Sequence, residues 1–157
     1  MKLLFKQRLF SWFDSYDIYH EDGSTAYVVK GELAWGHCLR IFSPGGDCLG
    51  LVKERVLTFL PRFELYESEQ YLGELHREFT LFKPRFLLDF SGWEVDGEWT
   101  GWNYSVTDGS RTVMRLSKEL WNFTDTYVMD IPNPKDALRC LMIVLAIDAD
   151  KCRHNGG

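Results

Sequence analysis

Between positions 53 and 86 the sequence carries Lys53, Arg55, Arg62, Arg77, Lys83 and Arg85, six bases within reach of one sheet surface. Converging Lys and Arg side chains hold phosphates through charge-assisted hydrogen bonds, so these six are the candidates for binding an anionic headgroup or another small ligand. The same stretch holds Glu54, Glu64, Glu67, Glu69, Glu74 and Glu78, six acids against six bases. Cross-strand ion pairs are the common fate of charges on strands. A solvated sheet face laced with such pairs is therefore the preferred reading and a headgroup site the second. A smaller basic group, Lys2, Lys6 and Arg8, alternates with Leu3, Phe5 and Leu9 and is expected to point outward.

Catalytic and metal chemistry find less support. His20, His37, His76 and His154 are scattered, and there is no GxSxG elbow, HExxH helix or phosphate-binding glycine loop, since Pro44-Gly45-Gly46 reads as a turn. Cys38 beside His37 is the nearest approach to a nucleophile and base, but neighbours on a strand point to opposite faces, so Cys38 is expected in the core. Cys152 and His154 with Asp148 or Asp150 offer part of a metal set that no cysteine pair completes. Trp93, Trp99 and Trp102 form either a surface stacking platform or, as large aromatics on strands usually do, part of the core. The expectation is a protein without enzyme activity, metal or cofactor.

The elements that position these residues come from a repeat. Units begin at Ile18, Ile41, Leu65 and Val106, and each reaches a basic residue twelve positions later, at Lys30, Lys53, Arg77 and Lys118. Turn formers separate the halves of each unit: Asp22-Gly23-Ser24, Pro44-Gly45-Gly46-Asp47, Glu67-Ser68-Glu69-Gln70 and Asp108-Gly109-Ser110. Asp-Gly between runs of Val, Ile, Tyr and Leu is a hairpin signal, because glycine accepts the positive φ of a tight turn. Phe59-Leu60-Pro61-Arg62-Phe63 is echoed by Phe82-Lys83-Pro84-Arg85-Phe86, placing a proline at successive strand starts. Short strands are expected at Met1 to Phe13, Phe86 to Phe90, Trp93 to Trp99, Trp102 to Val106 and Thr126 to Ile131. About a dozen strands in one antiparallel meander must close or fold over to hide their edges.

The last segment is different in kind. Asn133 suits a cap, Pro134 the first helical position and Asp136 the positive end of the dipole. Cys140 to Ile147 is then apolar on every side, over only eight positions. A membrane span needs about 20 such residues, so no transmembrane span is expected. A helix apolar all round must instead be surrounded by protein, and the middle of a closed barrel would let Leu138, Leu141, Met142, Leu145 and Ala149 meet the inward faces of the strands.

With 157 residues, 45% hydrophobic and 15% aromatic, the chain can bury one substantial core. One domain over 1–152 is expected, with 153–157 as a flexible tail. A formal net charge of −5 argues against a nucleic-acid partner. Cys38, Cys48, Cys140 and Cys152 lack CxxC spacing, and the start reads as a strand, not a secretory signal, so a reducing cytoplasmic setting is expected. The glycosylation patterns Asn103-Tyr104-Ser105 and Asn122-Phe123-Thr124 then carry no meaning.

The fold class expected is mainly β with one helix, a closed antiparallel barrel of about twelve strands enclosing a hydrophobic helix. That arrangement resembles the tubby C2-like fold. The strings Leu3-Leu4-Phe5-Lys6-Gln7-Arg8, Val52-Lys53-Glu54, Phe82-Lys83-Pro84, Ser117-Lys118-Glu119-Leu120 and Asp136-Ala137-Leu138, with the apolar helix after them, resemble the LURP-one-related family over nearly the whole chain. The resemblance implies the fold. For function it implies either a cytoplasmic binding module, since tubby-like proteins bind phosphoinositide headgroups and related scramblases act at membranes, or a protein-interaction scaffold with no small ligand. Plant members are linked to defence, and many bacterial members have no assigned activity. The tubby phosphoinositide motif finds no residue-by-residue match, so the six bases are candidates on their chemistry alone.

Overall fold

The computed structural model describes residues 1–6, 15–32, 34–78, 81, 85–98, 101–121 and 124–155. The first six strands are β1 (Lys2–Lys6), β2 (Ser15–His20), β3 (Thr25–Gly31), β4 (Cys38–Phe42), β5 (Cys48–Glu54) and β6 (Arg62–Glu67). They are followed by β7 (Gln70–Glu78), β8 (Arg85–Leu88), β9 (Trp93–Glu98), β10 (Asn103–Asp108), β11 (Arg111–Trp121), β12 (Thr124–Asp130) and the helix α1 (Ala137–Asn155). Successive strands pair antiparallel around a closed barrel, and β1 seals the seam between β2 and β12. Leu3 lies opposite both Met129 and His20 at that seam. The rest of the stretch expected as a first strand, 7–14, lies outside the described residues. Pro61 and Pro84 precede the starts of β6 and β8, and Phe63 and Phe86 behind them are both 1% exposed.

Each repeat is one hairpin, and each hairpin slips by one residue directly after the first residue of its unit. The slips fall between Ile18 and Tyr19, Ile41 and Phe42, Leu65 and Tyr66, and Val106 and Thr107. The returning strand carries the extra residue each time, Ala26, Leu49, Leu72 or Val113. A bulge bends its strand and increases the local twist, and repeated bulges curve a sheet until it closes. The extra residue also lets two neighbours face inward together, as Val113 and Met114 do, both fully buried. The twelve-position register is thus the spacing from a bulge to the solvent side of its returning strand, where Lys30, Lys53 and Lys118 are exposed and Arg77 is half-buried.

The Asn133 side chain accepts a hydrogen bond from the Lys135 amide at 3.2 Å, and a short 3-10 turn over Pro134–Asp136 leads into α1. Arg111 holds Asp136 at 2.9 Å and fixes where the helix enters. From Cys140 to Ile147 every side chain is buried, and Leu141, Met142, Leu145 and Ala149 sit inside the barrel with Leu138 partly buried at its edge. Gly50 on β5 makes room for the helix, since a Cβ there would lie 3.3 Å from the Met142 sulfur and 3.2 Å from the Tyr66 carbonyl. Among the described residues no helix is long and apolar enough to cross a membrane.

Two expectations about the helix need correction. Burial does not stop at Ile147, because Asp148, Asp150 and Lys151 are also buried. The helix continues to Asn155, into the stretch expected as a tail, because the sequence offers no breaker before Gly156. Arg77 reaches Asp150 at 3.3 Å, and the Lys151 Nζ sits 3.7 Å from the centre of the Trp102 ring. Trp102 in turn packs on Tyr127 with centroids 4.5 Å apart, so it and buried Trp93 are core, not a surface platform. Trp99 lies outside the described residues. Burial pushes the Asp148 carboxyl from 3.8 up to about 8 against the pull of Lys151, and pushes Lys151 from 10.5 down to about 8 against the pull of Asp148.

Truncating Leu141 to alanine opens a cavity in a filled barrel and is expected to lower the unfolding free energy by about 2–5 kcal/mol, read from urea denaturation. Leu145→Asp buries an unpaired carboxylate and is expected to abolish the cooperative transition altogether. The folded protein keeps the Asp148 proton where the unfolded chain has released it, so this group favours folding at acid pH. Its contribution falls as pH rises from the ordinary carboxylate value of 3.8 towards about 8. Above about 8 the opposite holds for Lys151, whose proton the unfolded chain still binds up to about 10.5. The substitution Asp148→Asn is expected to remove the first decline, read as a flatter urea midpoint against pH.

Candidate functional site

An antiparallel meander sends alternate connections to opposite ends of the barrel. One end carries the tight turns at 21–24, 43–47, 68–69, 89–92 and 109–110, together with the entry to α1. The other carries the longer connections 32–37, 55–61 and 79–84, where the helix finishes. The five basic candidates among the described residues belong to this loop end. Lys53 is near the end of β5, Arg55 follows it, Arg62 opens β6, Arg77 is near the end of β7 and Arg85 opens β8. Lys83 lies outside the described residues.

Their side chains do not converge on an open site. Arg55 Nη1 is 2.6 Å from Glu74 Oε1, and Arg62 Nη1 is 3.2 Å from Glu74 Oε2, so one buried carboxylate takes a guanidinium on each oxygen. Glu74 lies opposite Glu64 in the ladder, and Arg55 Nε reaches Glu64 at 3.8 Å, relieving a like-charge pairing. The Glu74 amide donates to Asp89 Oδ1 at 2.7 Å. Burial pushes the Glu74 carboxyl up, but Arg55 first and Arg62 second pull it further down, so it lies below its ordinary value. Arg77 is committed to Asp150, and Arg85 pairs with Glu94 at 3.9 Å in the open. Lys53 stands exposed with Glu64 and Cys38 opposite it in the two flanking ladders. Of the six bases and six acids, Arg55 and Arg62 pair with Glu64 and Glu74 within the stretch, while Arg77, Arg85, Glu54 and Glu67 find partners outside it. At the chain's start, Lys2 points out to Glu21 at 3.9 Å, and Arg8 lies outside the described residues.

The cysteine and histidine at the head of β4 go separate ways. The Cys38 thiol lies 3.6 Å from Glu32 Oε2, and burial, then Glu32, pushes its pKa up and disfavours a thiolate. His37 Nδ1 lies 2.6 Å from Glu54 Oε2, and the His37 amide also donates to that oxygen at 3.0 Å. Among the described residues no cluster of His, Cys, Asp and Glu could hold a metal ion. The Cys152 thiol is pushed up to about 11 by burial and by Asp148. In the barrel lumen, the gap among Phe5, Tyr16, Ile18, Leu141, Val144, Leu145 and Asp148 admits no water-sized sphere.

Sequence reasoning missed a second property of the loop end. Trp35, Leu57, Phe59 and Leu81 are 89%, 102%, 97% and 89% exposed, with Val56 beside them partly so. They lie in the three neighbouring connections that follow β3, β5 and β7. The available signal was Val56-Leu57-Thr58-Phe59-Leu60, an apolar run after a strand has ended and too close to Pro61 to begin another.

Three likenesses bear on this geometry. A protein of Bacillus subtilis (strain 168), the uncharacterised YxjI, is 28% identical over 149 residues, covering 94% of this chain and 92% of that protein. An X-ray structure of a protein from Arabidopsis thaliana superposes with a TM-score of 0.66 at 15% identity, covering 95% of this chain and 90% of that one, and shares the fold. The family described as LURP-one-related matches residues 1–148, and this chain, a filled twelve-stranded barrel, belongs to the LURP-one-related family.

Proposed function

We propose that this chain is a non-catalytic cytoplasmic binding module that recognises the phosphate-bearing headgroups of an anionic phospholipid surface with the loop end of its barrel. The observation carrying this reading is the gathering of Lys53, Arg55, Arg62, Arg77 and Arg85 at that one end, on consecutive elements from β5 to β8. A lumen filled by α1 leaves the outside of the barrel as the place for recognition. Exposed Lys53 and the loosely paired Arg85 are the cations most available to a new anion, since Arg55 and Arg62 share Glu74 and Arg77 is half-buried on Asp150. The absence of enzyme activity rests on the separation of His37 from Cys38 and the raised Cys38 thiol. A second reading, a protein-interaction scaffold with no small ligand, is favoured by the arginines that already hold carboxylates.

Co-sedimentation with vesicles of phosphatidylcholine, of phosphatidylcholine with phosphatidylserine, and of phosphatidylcholine with a phosphoinositide separates the two. The headgroup module is expected to bind the anionic vesicles and to bind less as salt screens the charges. Lys53→Glu with Arg85→Glu should reduce partition about tenfold or more, given about 1 kcal/mol per basic residue at an anionic surface. Unchanged thermal unfolding would confirm that the variant is folded. Binding to no vesicle would leave the scaffold reading.

A further inference from the structure

The loop end also carries an apolar crown that the headgroup reading does not use. We infer that Trp35, Leu57, Phe59 and Leu81 are membrane-penetrating tips that enter the acyl layer of an anionic bilayer while the cations behind them lie at headgroup level. This inference rests on the lipid reading above and names the layer that receives the protein.

The loops that carry Trp35, Leu57 and Phe59 are tied together. The Glu54 amide donates to the His37 carbonyl at 2.7 Å, while the Glu54 carboxylate takes the His37 amide and ring. Gly36, at φ 91°, packs so closely on Val56 that a Cβ there would lie 2.7 Å from its Cγ1. The Arg55 amide donates to the Arg62 carbonyl at 2.9 Å and closes the base of the middle loop, and the Thr58 hydroxyl donates to the Arg55 carbonyl at 3.2 Å. The Arg77 amide reaches the Pro61 carbonyl at 3.3 Å and ties that loop to β7. The crown is therefore set by backbone hydrogen bonds while its side chains remain outside.

Leu57 shows that this exposure is maintained at a cost. It sits at φ 64°, in the left-handed region, and its side chain touches almost nothing. A leucine there is strained, by on the order of 1 kcal/mol, and packing within the protein does not offset it. Strain of this kind points to a use outside the fold.

The chemistry favours lipid over a protein partner. The four tips project from three separate loops instead of forming a groove. A tryptophan stands among them, the residue type that anchors proteins at membrane interfaces. Lys53, exposed near the end of β5, precedes the loop that carries Leu57 and Phe59, and Arg85 opens β8 after the connection that carries Leu81. Apolar faces of peripheral elements enter a bilayer by about 5–10 Å, so cations at the strand ends that bear the loops lie at headgroup level when the tips are in acyl chains.

The test uses the full chain and vesicles of phosphatidylcholine with phosphatidylserine, some with brominated acyl chains that quench tryptophan. Six tryptophans contribute to the signal, so Trp35→Phe serves as the reference that isolates Trp35. Leu57→Asn removes the apolar tip while suiting the positive φ, and Phe59→Ser alters a fully exposed position, so both variants are expected to unfold at the wild-type temperature or above. Insertion predicts bromolipid quenching that is lost in Trp35→Phe, and binding about a hundredfold weaker in the Leu57→Asn, Phe59→Ser double variant, about tenfold per tip. It also predicts that part of the wild-type binding survives high salt. Wild-type binding with no Trp35 quenching and no effect of the double variant would overturn insertion and leave the headgroup reading standing. Binding to no vesicle would overturn both.

Discussion

A helix that is apolar on every side has to be wrapped on every side, and this requirement organises the molecule. An open sheet covers one face of a helix and leaves the other to water. Cys140 to Ile147 are buried throughout, and only a sheet curled through a full turn provides that. The strands carry the complementary need, because Ile18, Ile41, Leu65 and Val106 point inward and would otherwise face a hollow lumen. Helix and barrel each solve the other's hydration problem, which is why neither half is a stable structure by itself.

Closure also determines what the surface can do. A barrel filled by its own chain leaves little space among the described residues of its lumen, and its ends and outer wall are what other molecules meet. The two ends are unequal for a local reason. The turns within the repeated hairpins span two to five positions, whereas the connections after β3, β5 and β7 span six or seven. Length brings freedom to hold residues that do not pack, and the exposed apolar side chains of Trp35, Leu57, Phe59 and Leu81 all appear there. The Glu74 clamp lies beside them and stiffens the strands that bear these loops by holding one arginine on each oxygen of a single carboxylate.

The sequence made the hairpins, the barrel and the central helix legible, because Asp-Gly turns, a fixed repeat and an unbroken apolar run are local signals. The bulges were hidden inside the repeat, since a one-residue slip changes pairing and leaves composition untouched. Asp148, Asp150 and Lys151 misled for a different reason. Charges normally mark solvent, and only the fold shows that Arg77 and Trp102 wait for two of them inside the barrel. At the candidate site the identities of the bases were readable but not their partners, because Arg55 and Glu74 are 19 positions apart and meet only through strand order. The crown was overlooked because apolar residues are read as core, and the rule fails at loops whose backbone is satisfied without them.

The seam formed by β1 carries a consequence for how the molecule is made. Leu3 pairs with Met129, and the amino group of Met1 donates to the Ile131 carbonyl at 3.0 Å across 130 positions of sequence. Contacts of such separation slow folding, because the entropy of closing the loop is spent before the contacts return it. A ribosome delivers the first strand early and the plug last. Until α1 emerges, twelve strands and their apolar inner faces have nothing to close around, and the unsealed β1 and β12 edges are open to the wrong neighbour. Assembly of this barrel thus waits for α1, and its interval of vulnerability lasts until that helix is made.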